Sequence, residues 1–166
     1  MLSAYSIVEI LEDYGIENLS IKWPNDVYVN SKKICGILLE AVSKLQIKCL
    51  IIGIGLNVNQ KEFSDDYLHP PVSVYQILKE EIPIEEIKKK CYQKLIENLE
   101  LLKDGKDFYQ EIASYDYLKD MFVTYNKKRY QVSGINPDYS LRLVCSDQII
   151  DVESGEISFH QETGEK

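Results

Sequence analysis

Lys33 opens an apolar run, Ile34-Cys35-Gly36-Ile37-Leu38-Leu39, so its ammonium stands at the edge of a dry strand. An unpaired cation against apolar surroundings is costly and seeks an anion. A lysine whose stem lies on the strand while its head snorkels to water is the plainer alternative. Asp26 follows Pro24-Asn25 and reads either as a turn former or as a carboxylate that meets magnesium or a nucleotide hydroxyl. Gly53-Ile54-Gly55 lacks the third glycine of a dinucleotide fingerprint, and no helical pattern follows it. Its missing side chains leave room for a ligand against the backbone, or for two strands to pack closely. Asn57 and Asn59 are two residues apart and face the same way in an extended segment, unless both are turn residues. With only His69 and His160 in the chain, a histidine-rich metal site is excluded, and no Ser/Cys–His arrangement offers a nucleophile.

These residues need a scaffold, and 166 residues suffice for one ordinary domain or a small domain plus a smaller one. The composition, 45% hydrophobic and 28% charged, permits a core in a water-facing protein. The net charge of −8 disfavours nonspecific nucleic-acid binding by the whole surface. Between Ser20 and Lys48 the balance reverses: five lysines, at 22, 32, 33, 44 and 48, stand against Asp26 and Glu40, a local net of +3. Such a segment suits a phosphate, although charge alone favours a solvated hairpin. Cys35, Cys49, Cys91 and Cys145 form no C-x-x-C pair. Cys35, Cys49 and Cys145 sit among apolar neighbours and read as small core residues in a reducing compartment. Neither a signal sequence nor an apolar run of membrane-spanning length opens the chain, and a cytoplasmic location is expected.

The apolar spacing predicts a helix from Leu2 to Tyr14 with Gly15 as its C-terminal cap. Strands are expected at Leu19–Trp23, Val27–Val29, Lys33–Val42 and Ile47–Ile54, in an antiparallel meander. Pro24-Asn25-Asp26 and Asn30-Ser31-Lys32 make the turns. Leu50-Ile51-Ile52 is expected to be the most buried strand. After a loop from Asn57 to Pro71, Ser73 and Gln76 form a capping box. A long helix, about Ile84–Lys103, carries Ile84, Ile87, Cys91, Leu95, Leu99 and Leu102 at helical spacing. Asp107 caps a last helix with Phe108, Ile112 and Tyr115 on one side. From Met121 onward, short strands alternate with turns at Met121–Tyr125, Tyr130–Val132, Ser140–Val144, Ile149–Val152 and Ile157–His160. This texture suggests a small β barrel.

Four motifs occur in order: Lys22-Trp23-Pro24-Asn25-Asp26, then Lys33, then Gly36-Ile37-Leu38-Leu39-Glu40, then Gly53-Ile54-Gly55-Leu56-Asn57-Val58-Asn59. In order and spacing the set resembles the catalytic domain of biotin protein ligases. The resemblance extends through the later helices and Gly155-Glu156-Ile157-Ser158. It implies an α/β (α+β) fold, a class II synthetase-like mixed and largely antiparallel sheet with helices, over residues 1–117. A small SH3-like β barrel is expected over 118–166. It implies ATP and biotin as substrates, magnesium as cofactor, biotinyl-5′-AMP as intermediate and a lysine of a biotin carboxyl carrier protein as acceptor. In such a reaction a carboxylate attacks a polyphosphate, so placed cations and alignment matter more than proton transfer. Lys33 and magnesium would supply the cations.

Carried over residue by residue, the resemblance makes Lys33 the catalytic lysine, in contact with the biotin carboxylate and the α-phosphate. Lys22, Trp23, Asn25, Asp26, Gly36, Gly53, Gly55, Asn57 and Glu156 become biotin- or adenylate-binding, with Asp26 and Asn57 also near magnesium. The family's glycine- and arginine-rich loop, G-R-G-R-x-G-R, has no counterpart: the only arginines are Arg129 and Arg142, and His160 stands where an arginine is common. The chain is therefore expected to be an N-terminally truncated ligase, the second half of the catalytic domain plus the barrel, with no DNA-binding winged helix. A non-catalytic interaction module, one half of a split ligase, and a lipoate or octanoate transferase relative are the rival readings. The unpaired edge that truncation would leave suggests a homodimer through the sheet.

Overall fold

A computed structural model describes residues 1–43, 47–64, 70–146, 148–153 and 158–159. The expected Glu156 contact and the strand end at His160 lie outside these residues. Helix α1 (Leu2–Asp13) buries Ala4, Ile7, Val8, Ile10 and Leu11. It stops where the sequence places glycine: Gly15 takes φ +77, and its N–H reaches Glu12 O at 2.8 Å.

Strands β1 (Leu19–Lys22), β2 (Asp26–Val29), β3 (Lys32–Ser43) and β4 (Ile47–Leu56) form a four-stranded antiparallel sheet in sequence order, the predicted meander. The β2–β3 hairpin turns on Asn30 and Ser31, both with positive φ (46 and 64), as a tight turn matched to strand twist requires. Helix α2 (Val74–Leu78) begins with the Ser73/Gln76 capping box, each side chain bonded to the other's backbone N–H. Helix α3 (Ile84–Lys103) matches its predicted span and packs on α1. There the buried Asn98 amide donates to Ser6 Oγ (3.0 Å) and Glu9 Oε2 (2.6 Å). Only the middle of its apolar stripe, Ile87, Cys91 and Leu95, is buried; Ile84, Leu99 and Leu102 stay partly exposed. Helix α4 (Tyr109–Ser114) sinks Ile112, beside buried Phe108, into the same core. Its capping residue is Phe108 rather than Asp107, although Asp107 Oδ1 accepts from Tyr109 N–H at 2.9 Å.

Strands β5 (Phe122–Tyr125), β6 (Lys128–Ile135), β7 (Leu141–Cys145), β8 (Gln148–Val152) and β9 (Ser158–Phe159) form a second antiparallel sheet, ordered β8-β7-β6-β5-β9. It has its own core of Leu118, Val123, Tyr130, Val132, Ile135, Leu141, Leu143 and Val152. Among the described residues no pairing closes β8 onto β9. The two sheets meet where Ile21 pairs with Asp116, and where the Trp23 indole N–H donates to Tyr139 O at 2.9 Å.

Two expectations are corrected. Leu50 and Ile51 are about half exposed, not deeply buried, and Cys49 beside them is exposed. The reason lies in the layers: α1 covers β1, β2 and β3, α3 faces β4 across an apolar cavity lined by Ile52, Ile54 and Leu56, and β4 is an outer strand of the sheet. In the outer part of the β3–β4 hairpin Leu38, Leu39, Leu50 and Ile51 are accordingly 44–59% exposed.

Candidate active site

Strand pairing sets Lys22, Asp26, Gly36 and Gly55 in one row across β1–β4, each opposite the next. Directly opposed residues share a face, so two missing side chains lie beside the Asp26 carboxylate. Strict alternation along β3 would put Lys33 on the face of Cys35, toward the core. A bulge in β3, opposite Val27 and Tyr28 of the partner strand, changes this: Val27 faces Cys35, but Tyr28 faces Lys33, leaving Ile34 as the extra residue. Ile34 and Cys35 are then both buried, and Lys33 emerges on the side of Gly36.

Lys33 Nζ meets Asp26 Oδ2 at 2.7 Å, the side chains being 41% and 20% exposed. A Cβ at Gly36 would lie 3.1 Å from both Lys33 Cε and Nζ and 3.4 Å from Asp26 Oδ1. The glycine therefore makes the space in which the ion pair sits. Two cavities meet at this lysine. The first, about 480 Å³, is floored by Gly36, Gly53 and Gly55 and walled by Asn25, Asp26, Ile37, Leu38 and Ile54. The second, about 400 Å³, adds Cys35, Asn57, Phe63 and Pro71. Lys33, Gly36 and Gly55 belong to both. The result is an elongated trough with an ammonium at its centre and bare backbone beneath.

The asparagines anchor its walls. The Asn25 amide donates to Ile37 O, while Ile37 N–H donates to Asn25 O at 3.1 Å, which ties the turn before β2 to β3. Asn57 Nδ2 donates to Val72 O at 3.1 Å, its N–H reaches Ile34 O, and its O accepts from Val74 N–H. Asn59 bonds Ile82 twice, through Nδ2 to O (2.8 Å) and Oδ1 from N–H (3.0 Å). Tyr28 backs Asp26 and stacks on Tyr117 with ring centroids 4.8 Å apart. Burial first, and then the Asp26 charge, push its phenol up to about 12. Burial likewise pushes the Cys35 thiol up to about 12, so this wall residue is an inert neutral group.

Of the residues singled out from sequence, Lys33, Asn25, Asp26, Gly36, Gly53, Gly55 and Asn57 line the trough. Lys22 and Trp23 do not line it. The Lys22 ammonium lies 5.9 Å from the Tyr28 ring centroid, and Trp23, 2% exposed, joins the core of the second sheet. Lys32 lines a neighbouring cavity with Ser64, Pro70 and Lys79, which shares Phe63 and Pro71 with the second cavity but neither Lys33 nor the glycines. Phe63 was not anticipated, although it is one of only two aromatic residues, with Tyr67, in the stretch of sequence from Asn57 to Pro71.

This trough is found on a chain with evident relatives. The model for the Biotin/lipoate A/B protein ligase family matches residues 2–57. The bifunctional ligase/repressor BirA of Bacillus subtilis (strain 168) is 38% identical over 85 residues, 49% of this chain and 26% of that protein. The biotin–[acetyl-CoA-carboxylase] ligase of Paracoccus denitrificans is 49% identical over 41 residues, 24% of this chain and 17% of that one. The alignments thus span about a quarter or less of these curated relatives. Among solved structures, the biotin protein ligase of Aquifex aeolicus in complex with biotin and ATP superposes with a TM-score of 0.84 at 30% identity. That match covers 97% of this chain and 70% of that one. A biotin protein ligase-like protein of unknown function from Silicibacter sp. tm1040 shares the fold at 11% identity, with a TM-score of 0.76.

Proposed function

Since this chain belongs to the biotin protein ligase family, we propose that it makes biotinyl-5′-AMP from biotin and ATP and passes biotin to a carrier-protein lysine. The acceptor is the lysine of a biotin carboxyl carrier protein. One observation carries the reading: Lys33 stands where two cavities meet over glycine-floored backbone. An adenylate has the matching form, two neutral ends joined at a carboxyl–phosphate centre. A biotin carboxylate oxygen attacks the α-phosphorus, the P–O bond to the β-phosphate breaks, and pyrophosphate leaves. Two anions must approach, and the charge that builds on the α-phosphate is met by the Lys33 ammonium. In the second step the neutral acceptor amine attacks the carbonyl of the mixed anhydride and AMP departs.

Magnesium fits poorly as a resident ion. Asp26 is paired with Lys33, Asn57 gives its amide to Val72, and no group of three or more His, Cys, Asp or Glu that could hold a metal exists among the described residues. Magnesium is therefore assigned to the incoming ATP, whose phosphates ligate it with water. Residues 1–117 form the catalytic unit in this reading, residues 118–166 a separate β unit, and Glu156 belongs to the latter. The similarity to biotin ligases favours biotin over lipoate as substrate, as does the Lys22–Asp26 motif. No helix among the described residues is long and apolar enough to cross a membrane, which accords with a cytoplasmic site of action.

A second feature supports self-association. The outer flank of β4 is unpaired among the described residues, and Leu38, Leu39, Leu50 and Ile51 are 44–59% exposed on the same hairpin. An exposed apolar edge is a template for strand pairing, and a homodimer through this hairpin is the arrangement proposed. Sedimentation at several concentrations tests it; a monomer throughout would contradict it. The enzymatic reading is tested by biotin-dependent pyrophosphate release and by label transfer to a carrier domain, with wild type beside Lys33→Ala. Pyrophosphate release independent of biotin, or unchanged in Lys33→Ala, would contradict it.

A further inference from the structure

Asp26 lies at the trough and has two possible employments, a metal ligand or a partner of Lys33. The geometry separates them. Its Oδ2 is 2.7 Å from Lys33 Nζ, and its strand partner Gly36 is the residue whose missing Cβ leaves room for both groups. A divalent cation on the same carboxylate would stand beside an ammonium, and the described residues supply no further carboxylate, thiolate or imidazole cluster to hold it.

We infer that Asp26 is the positioning residue for Lys33, fixing its ammonium over Gly36 where the two cavities meet, and that it is not a magnesium ligand. This rests on the reading of the trough as the adenylation site. A lysine head is a point charge on a flexible four-carbon stem, so nothing in the residue itself fixes where the charge stands. The bulge at Ile34 chooses the face, and Gly36 opens the space. Asp26 sets the final position. An ammonium has three N–H donors: one is directed to Asp26, and two remain for anions arriving from the cavities on either side. The pair is partly exposed, so its removal affects stability little. Its consequence is geometric and falls on rate.

The test uses the full chain with biotin and ATP. Asp26→Asn keeps the size of the side chain and loses its charge. It lowers the single-turnover rate of adenylate formation about 10-fold, since misplacing a catalytic group by a fraction of an ångström has effects of this order. The KM for ATP stays within about twofold. Extra magnesium does not restore the rate, and in a Lys33→Ala background Asp26→Asn adds nothing. A readout independent of activity accompanies these: the carbon-13 order parameter of the Lys33 ε-methylene, assigned through Lys33→Arg, falls in Asp26→Asn. Restoration by magnesium would assign Asp26 to the metal and overturn the inference. So would an additive defect in the Lys33→Ala background, an unchanged rate, or an unchanged Lys33 order parameter. If the wild-type chain forms no adenylate, the enzymatic reading fails, and the order parameter still decides what Asp26 does.

Discussion

Replacing Gly36 by alanine adds one methyl group where the account is most exposed. The new Cβ would meet Lys33 Cε and Nζ at 3.1 Å and Asp26 Oδ1 at 3.4 Å. Comfortable non-bonded carbon contacts lie at about 3.5–4.0 Å, so the ammonium must retreat by roughly 0.4–0.9 Å. The yielding group is the far end of a flexible side chain, and Gly36 has no positive φ, so the backbone has no reason to move. Stability should therefore hold or rise by about 0.5 kcal/mol, because alanine restricts the unfolded chain more than glycine does. The rate should fall. An error of ~1 Å at a reacting centre costs about 10²-fold, which places Gly36→Ala at roughly 10-fold or more in adenylate formation. Pyrophosphate release and thermal unfolding, measured on the same preparations, separate the two effects. Gly53→Ala separates the two ways a methyl group can act: its Cβ finds only Leu38, at 3.7 Å, an ordinary contact, so it leaves Lys33 in place and reports only on substrate contact with the trough floor. An unchanged rate in Gly36→Ala, or a loss explained by unfolding, would refute the argument from Lys33 placement.

Lys33→Ala should lower pyrophosphate release by roughly 10²–10³. Lys32→Ala, at a lysine that lines the neighbouring cavity with Lys79, should stay within about twofold. Asn59→Ala removes both bonds to Ile82 and should cost about 1–3 kcal/mol in urea unfolding with little change in KM. Asp116 gives a pH signature. Its Oδ1 accepts from Leu118 N–H at 2.9 Å, while Oδ2 is buried without a partner, and burial raises its pKa above the usual 3.8 despite backbone donors. The folded state then holds this proton more tightly than the unfolded chain, so Asp116's contribution is complete below about pH 4 and is lost as pH rises through the raised pKa. The melting temperature of Asp116→Asn should gain on wild type as pH rises above about 4 and Asp116 ionises; a difference that does not change with pH would contradict this.

Much of the site was legible because it rests on local rules. Asn30-Ser31 announces a tight hairpin, Ser73 and Gln76 a capping box, and period-2 glycines at 53 and 55 a bare strip of strand. What could not be read depends on partners distant in sequence. Alternation puts Lys33 on the core side, and only pairing with β2 reveals the bulge at Ile34 that turns it to the trough. Trp23 sits inside the motif, yet its indole is claimed by Tyr139, 116 residues away, so it helps join the sheets instead of lining the site. Leu50 and Ile51 look like core because they are apolar, but composition does not say whether a second layer reaches that end of the hairpin. Asp26 reads as a turn residue or metal ligand until its distance to Lys33 is known.

Backbone amide NMR of the nitrogen-15-labelled chain, titrated with a hydrolysis-resistant biotinyl-adenylate analogue, tests the central claim most directly. The account predicts the largest shifts at Gly36, Gly53, Gly55 and Asn57, with the Lys33→Ala variant requiring about 10-fold or more analogue for the same change. Shifts confined to α3 or the second sheet, or identical titrations for wild type and Lys33→Ala, would contradict it.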